Sequence, residues 1–310
     1  VPKSPSSALP AHAEPPAASG MPAPVFHDAR HNIKIYQGDC LEILGKIPAD
    51  SVDLIFADPP YFLSNGGVTC HAGRMVSVNK GDWDRSRGAD LNHEFNRSWL
   101  AACQRVLKTD GSIWVSGTSH VIHSVGFAMQ QLEFKLLNDI SWVKPNPPPN
   151  LSCRYFTHAT ETIIWAAKNK KSRHKFNYRR MKDTNGGKQM KSVWEFLPPS
   201  REEKRFGKHP AQKLVALLER ILLASSNDGD LVLDPFMGSG TTILAALRLR
   251  RIAVGLEKEA QSLDISLPRI CTELVQVSLD VYCSEFPLDL EERSMDRSDH
   301  RRTRAMNAPP

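Results

Sequence analysis

The run Asp58-Pro59-Pro60-Tyr61 holds the residues whose types and spacing point most directly to chemistry. An aromatic amine is a poor nucleophile because its lone pair is delocalised into the ring. Hydrogen bonds donated by that amine to fixed acceptors draw the nitrogen toward tetrahedral geometry as positive charge develops on it. Asp58 offers a carboxylate for this task, and Pro59 a main-chain carbonyl. Pro59 and Pro60 fix φ and stiffen the turn, so the acceptors are preorganised. Tyr61 supplies a π face on which a base extruded from a duplex can stack, and Phe62 a second wall. Taken alone, the four residues fit a Pro-Pro turn with a buried Tyr after a strand better than they fit this chemistry.

A second constellation runs from Asp234 to Thr242 (DPFMGSGTT). A strand entering Gly238-Ser239-Gly240 and leaving as a helix presents backbone N–H groups and a surface free of side chains to a ligand. Glu257 follows Gly238 by 19 residues, at the end of the next strand, where an acidic side chain can accept both hydroxyls of a ribose. No Lys follows Gly240, so the cation that a phosphate-binding P-loop needs is missing. The pair therefore fits a cofactor containing adenosine, although a tight left-handed turn would also account for the glycines.

The elements that must position these residues read as an alternating α/β chain. Strands are expected at 32–36, 52–57, 112–116, 140–143, 162–167, 231–233 and 252–256, and helices from 40, at 94–107, 121–132, 209–225 and 243–249. Residues 64–87 are polar and Gly-rich and read as a long loop. Residues 1–27, crowded with Pro, Ala and Ser, are expected to be a disordered leader, and 284–310 a disordered tail, leaving 28–283 as one catalytic domain. A chain of 310 residues, 41% hydrophobic, can bury one large core.

Charge is unevenly spread. The whole chain carries +6, but residues 168–208 hold 14 Lys or Arg against 4 Asp or Glu. Phe176, Tyr178 and Trp194 interleave with them, which suits phosphates and stacked bases. The six cysteines include no C-x-x-C pair, so neither a zinc site nor a disulfide framework is expected, and no metal is assigned. No run approaches the roughly 18 apolar residues of a membrane span, and a soluble, cytoplasmic protein is expected.

Taken in order, Gly38-Asp39, Asp58-Pro59-Pro60-Tyr61, Gly81-Asp82-Trp83-Asp84, His209-Pro210-Ala211-Gln212-Lys213 and Asp234 to Thr242 resemble the motifs of the amino-methylating DNA methyltransferases of the permuted β class. The segment Cys153 to His158, with Thr160-Glu161-Thr162, is similar to adenine methylases of bacterial restriction systems, the Dpn-type second methylases acting at GATC. The resemblance implies a class I, Rossmann-like fold with permuted motif order and a mixed, mostly parallel sheet. It implies S-adenosyl-L-methionine as cofactor and direct in-line transfer to N6 of a flipped-out adenine.

By resemblance, Asp58, Pro59, Pro60 and Tyr61 are catalytic. Asp39 approaches the cofactor's adenine, Glu257 its ribose, and Asp234, Gly238 and Gly240 its methionine end, where Lys213 pairs with the carboxylate. Asp58, Phe236, Ser239 and Thr241 complete the cofactor set. The basic stretch 168–208 occupies the place of target recognition, with Lys170, Lys171, Arg173, Lys175, Arg179 and Arg180 as the DNA-binding cations. Duplex DNA is the implied partner, and association with the bacterial nucleoid is expected; single-stranded DNA and a homodimer stay open. Cytosine-N4 methylation is the nearest alternative, and Asp58 argues against it because Ser is commoner there. An RNA methyltransferase and a DNA-binding protein without catalysis are further alternatives. The chain departs from the family pattern at Ala211 and Leu214, and at Pro268, which is expected to break the last helix.

Overall fold

The computed structural model describes residues 20–64, 68–71, 74–77 and 81–285. Residues 1–19 of the expected leader and 286–310 of the expected tail lie outside them. The elements are β1 (Phe26–Asp28), β2 (Ile33–Gln37), α1 (Cys40–Lys46), β3 (Val52–Ala57), β4 (Val68–His71), β5 (Arg74–Ser77), α2 (Ala89–Val106), β6 (Leu107–Gly117), α3 (Ile122–Gln131), β7 (Lys135–Val143), β8 (Thr160–Ala167), α4 (Tyr178–Thr184), β9 (Val193–Glu195), α5 (Val215–Ser225), β10 (Leu231–Asp234), α6 (Thr241–Arg248), β11 (Ile252–Glu257) and α7 (Ala260–Glu285). The chain divides into two units, Val1–Ile270 and Cys271–Pro310; of the second, the described residues are the continuation of α7.

Nine strands of the first unit form one sheet in the order β1-β2-β11-β10-β3-β6-β8-β7-β9. Strands β2, β11, β10, β3 and β6 run parallel, β8 is antiparallel to both β6 and β7, and β9 is parallel to β7. This is the mixed, mostly parallel sheet expected. Alternation along the strands gives the sheet two apolar faces. Ile55, Ala57, Ile113 and Val115 pack with Leu44, Trp99, Leu100 and Val125 of α1, α2 and α3. On β6, Trp114 points the other way, stacks on Trp165 at 4.6 Å and donates its indole N–H to Ser225 Oγ of α5 at 2.9 Å.

The register decides what can meet. The ends of β2, β11, β10, β3 and β6 lie on one edge of the sheet, together with the start of β8 and the ends of β7 and β9. In such sheets ligands bind outside the carboxyl ends of the strands. Asp39, Asp58, Asp234 and Glu257 all sit at those ends.

Several expectations need correction. Phe26 and His27, assigned to the leader, pair in β1 with Ile35 and Lys34. The expected loop 64–87 contains the hairpin β4–β5 and a 3-10 turn, Asp82–Asp84. The helix expected from His209 begins only at Val215, since Pro210 disfavours helix at the residue before it. Within 168–208 the chain forms α4 and β9, neither of which the charge pattern suggested. Pro268 stands inside α7 without ending it. Proline removes one i→i−4 bond there, but the adjoining turn is fastened by Arg269, which donates to the Ser239 carbonyl and to Thr241 Oγ1, and by the fully buried Ile270.

Candidate active site

Asp58 emerges at the end of β3, a strand almost wholly buried, and its carboxylate is already engaged. Lys213 Nζ donates to Oδ2 at 2.6 Å, Tyr61 Oη donates to Oδ1 at 2.7 Å, and Ser116 Oγ donates to the same oxygen. Glu161, at the start of β8, adds its Oε2 to the group, 3.3 Å from Tyr61 Oη and 3.6 Å from Lys213 Nζ, while its Oε1 pairs with Lys144. Two carboxylates and two ammonium groups thus form one buried network. Burial alone would lower the Lys213 ammonium, but Asp58 and Glu161 outweigh it and hold its pKa above the ordinary value. Burial likewise pushes the Glu161 carboxyl up, and Lys213 and Lys144 bring it below its usual range. Burial, with Asp58 and Glu161 beside it, holds the Tyr61 phenol well above 10.0.

The loop after Asp58 is held from behind by Asp84, fully buried in the 3-10 turn. Its Oδ1 accepts from Tyr61 N at 2.9 Å, and its Oδ2 accepts from Leu63 N at 3.1 Å and Ser64 Oγ at 2.9 Å. The motif Gly81 to Asp84 is therefore a clamp on the turn that follows Asp58. Phe62, at φ 58°, turns out toward the cavity as a result.

The cavity beside Asp58 has a volume of about 590 Å³ and is lined by Asp39, Asp58, Pro60, Phe62, Lys213, Asp234, Phe236, Gly238, Ser239, Thr241 and Glu257, among others. Asp39 caps α1, accepting from Leu41 N at 3.0 Å. Glu257 accepts from Gly238 N at 2.7 Å through one oxygen and from Glu259 N at 2.7 Å through the other, and burial raises its pKa. Asp234 accepts from Thr242 Oγ1 at 2.5 Å and Phe236 N at 3.0 Å; burial pushes its carboxyl up to about 7, the two hydrogen bonds opposing and Asp58 and Glu257 adding to the shift. Gly238, at φ 52°, holds a left-handed conformation that strains any other residue, and a Cβ there would press on the His209 ring at 3.1 Å.

Four assignments change. The ring of Tyr61 is buried and its hydroxyl is spent on Asp58, so Phe62 and not Tyr61 offers an aromatic surface to the cavity. Pro59 is buried and does not line the cavity. Lys213 faces the cavity but is paired with Asp58 and Glu161, which claim the charge expected for the cofactor's carboxylate. Gly240, at φ 78°, serves the turn and packing, since a Cβ there would lie 3.1 Å from Ser266 Cβ.

The basic residues are the largest departure. Strand β8 runs away from the active edge, so the chain after Ala167 starts on the opposite edge. Lys168 bonds Asp50 at 2.5 Å and the Leu107 carbonyl at 2.6 Å, Lys175 pairs with Asp230, and Asn177 Nδ2 reaches the Leu223 and Ser226 carbonyls at the end of α5. Lys170, Lys171, Arg173, Arg179 and Arg180 are exposed there, remote from Asp58. Strand β9 then carries the chain back, delivering 196–208, with Arg201, Lys204, Arg205 and Lys208, to the active edge. Ser116, Lys144, Glu161 and Asp84 were not singled out as site residues from the sequence. Asp84 and Glu161 lay in segments that carry the resemblance but had no role assigned, and Ser116 and Lys144 carry no local signal; the register brings Ser116, Lys144 and Glu161 together.

Residues 52–267 match the family model N6_N4_Mtase, described as DNA methylase. The chain is 52% identical over 245 residues to Type II methyltransferase M2.DpnII of Streptococcus pneumoniae, covering 79% of this chain and 91% of the relative. It is 53% identical over 242 residues to Type II methyltransferase M2.LlaDCHI of Lactococcus lactis subsp. cremoris, covering 78% and 90%. Among solved structures, M1.HpyAVI in complex with SAM superposes with a TM-score of 0.59 at 28% identity, over 77% of this chain and 98% of that one. With the acceptor Asp58, the cavity beside it and the motifs at the strand ends on one edge, the chain belongs to the N6/N4 DNA methylase family.

Proposed function

We propose that this protein transfers a methyl group from S-adenosyl-L-methionine to N6 of adenine, flipped out of a short GATC-like target in DNA. The observation that carries the reading is the junction of Asp58 with a 590 Å³ cavity whose far walls are acidic, at Asp39, Asp234 and Glu257. That volume suits a cofactor of this size. When bound, the cofactor supplies an electrophilic methyl group on a sulfonium, and the residues that would hold it are Asp39 at the adenine, Glu257 at the ribose and Asp234 with Gly238 at the methionine end.

The chain's own part is positioning and electrostatics. Asp58 accepts a hydrogen bond from the substrate amine by exchanging one of its present partners, and the stiff Pro59-Pro60 turn keeps it aimed. Phe62 supplies the aromatic wall for the base. Asp58 in place of Ser favours adenine over cytosine. A base already in a single strand costs less to present, so single-stranded DNA is a second substrate under this reading. The homodimer, the nucleoid association and the DNA-binding role of residues 168–208 remain proposals as well, the last now centred on Arg201 to Lys208.

The test is to incubate the protein with labelled cofactor and, side by side, a DNA duplex carrying GATC and an RNA of matching sequence, digest to nucleosides and identify the product. N6-methyladenine is expected, and N4-methylcytosine or label confined to RNA would overturn the assignment. Single-molecule methylation sequencing of exposed DNA then reads the target.

A further inference from the structure

The connection between β7 and β8 spans Lys144 to Ala159, and both of its ends are tied to the catalytic network. Lys144 N donates to the Ala159 carbonyl at 2.7 Å, and the Lys144 side chain pairs with Glu161, which in turn touches Tyr61 and Lys213. The loop therefore rises from the active edge beside Asp58.

Its tip does something unusual for a folded surface. Phe156 is 96% exposed, Tyr155 60% and Leu151 40%. Apolar side chains this exposed, clustered next to a site, mark a surface that is covered during function. The loop is also stiff. Pro145, Pro147, Pro148 and Pro149 fix its rising limb, Asn150 Nδ2 donates to the Tyr155 carbonyl at 2.6 Å, Ser152 N and Oγ both donate to Asn150 Oδ1, and the Tyr155 ring leans on His158 with centroids 5.6 Å apart. Between Pro145 and Ala159 there is one Arg, Arg154, and no acidic residue, so nothing in it repels phosphates.

We propose that this loop is a wedge whose Phe156 enters the base stack of duplex DNA at the target step and fills the space left when the target base moves toward Phe62, with Tyr155 packing alongside and Arg154 on the backbone. The proposal rests on duplex DNA being the substrate. A planar apolar side chain in the stack lowers the cost of unstacking, and any base offers a face to it. The occupant is the stack and not a second protein copy, because the loop is anchored to the residues that hold the catalytic acceptor and carries only positive charge.

The experiment uses the full chain and Phe156→Ala, with Phe156→Trp as the conservative variant. Methyl transfer is measured on a matched duplex and on one whose target adenine stands opposite an abasic site, and flipping is followed by 2-aminopurine fluorescence at the target position. Phe156→Ala should lose roughly ten- to a hundredfold in kcat/KM on the matched duplex and much less opposite the abasic site, with a smaller fluorescence rise. Phe156→Trp should restore most of both, and cofactor affinity should not change. Equal losses on the two duplexes, or none on either, overturn the wedge. So does a sedimentation shift in Phe156→Ala with kinetics intact, which would assign the tip to self-association. Wild-type product identity tests the methylation reading separately, so the two can fail independently.

Discussion

Asp234 makes cofactor affinity a function of pH. Burial raises its carboxyl from 3.8 to about 7, so in the cofactor-free protein it is half protonated near neutrality. The methionine end it is expected to meet carries a cationic amine, which favours the ionised form, so binding should release up to one proton below the folded pKa. If only the ionised form binds, lowering pH from about 7.5 to about 5.5 weakens binding by roughly 25-fold. Calorimetry at both values, repeated in two buffers of different ionisation enthalpy, reads the affinity and the proton count. Asp234→Asn should bind weakly at both values and lose the slope. Wild-type affinity that is flat over this range, or a slope that survives in Asp234→Asn, refutes the reasoning. The same shift acts on stability with the opposite preference. The native state keeps a proton that the unfolded chain gives up above 3.8, so this group's contribution is fully present below that value. It is lost as pH rises toward 7, on the order of 4 kcal/mol for this group alone.

Other perturbations separate the parts of the site. Asp58→Ala should abolish methyl transfer while cofactor binding by calorimetry stays within a few-fold, because the acceptor acts on the amine; preserved turnover would remove Asp58 from the mechanism. Glu257→Ala should weaken cofactor binding with DNA affinity unchanged, and equal cofactor affinity would show that the residue only holds its turn. Asp84→Ala removes the acceptor that Tyr61 N, Leu63 N and Ser64 Oγ share and should destabilise the protein by about 1–3 kcal/mol, the cost of a buried donor losing its acceptor, read as a fall in the urea midpoint. Charge reversal at Arg201, Lys204 and Lys208 should flatten the slope of log DNA affinity against log salt by up to roughly 0.9 for each lost phosphate contact, whereas reversal at Lys170, Lys171 and Arg173 should leave it near wild type. The opposite ranking would return target recognition to the far edge.

The strands of the core were legible because Val52–Ala57 and Ile252–Leu256 are short apolar runs bounded by turn residues, and the motif order supplied the topology they belong to. Asp39, Asp234 and Glu257, proposed for the cofactor, were placed at strand ends for the same reason, since each lies at or just beyond the end of such a run. Composition misled at 168–208. Charge density says nothing about direction, and the antiparallel course of β8 sends the first part of that segment to the edge opposite Asp58 before β9 returns it. Tyr61 misled differently: local sequence offers a ring, but only the fold supplies Asp84 to pull its backbone inward and Asp58 to take its hydroxyl.

The network around Asp58 also constrains how its variants are read. Asp58, Glu161 and Lys213 are largely buried, Lys144 is half-buried, and the formal charges of the four cancel. A neutral cluster tolerates burial, whereas deletion of one member leaves an uncompensated charge and typically costs about 3–5 kcal/mol. The ammonium of Lys213, held protonated by both carboxylates, would lose its nearest partner in Asp58→Ala and keep the neutral Tyr61 hydroxyl at 3.1 Å and, as counter-charge, Glu161 at 3.6 Å. Loss of activity in that variant therefore combines a missing acceptor with a reorganised site. Pairing Asp58→Ala with Lys213→Met removes one charge of each sign, and the acceptor with them, and restores balance. If the double variant regains stability but not turnover, the carboxylate is required for its hydrogen bond to the amine; recovery of both would mean that Asp58 serves the site only as a counter-charge.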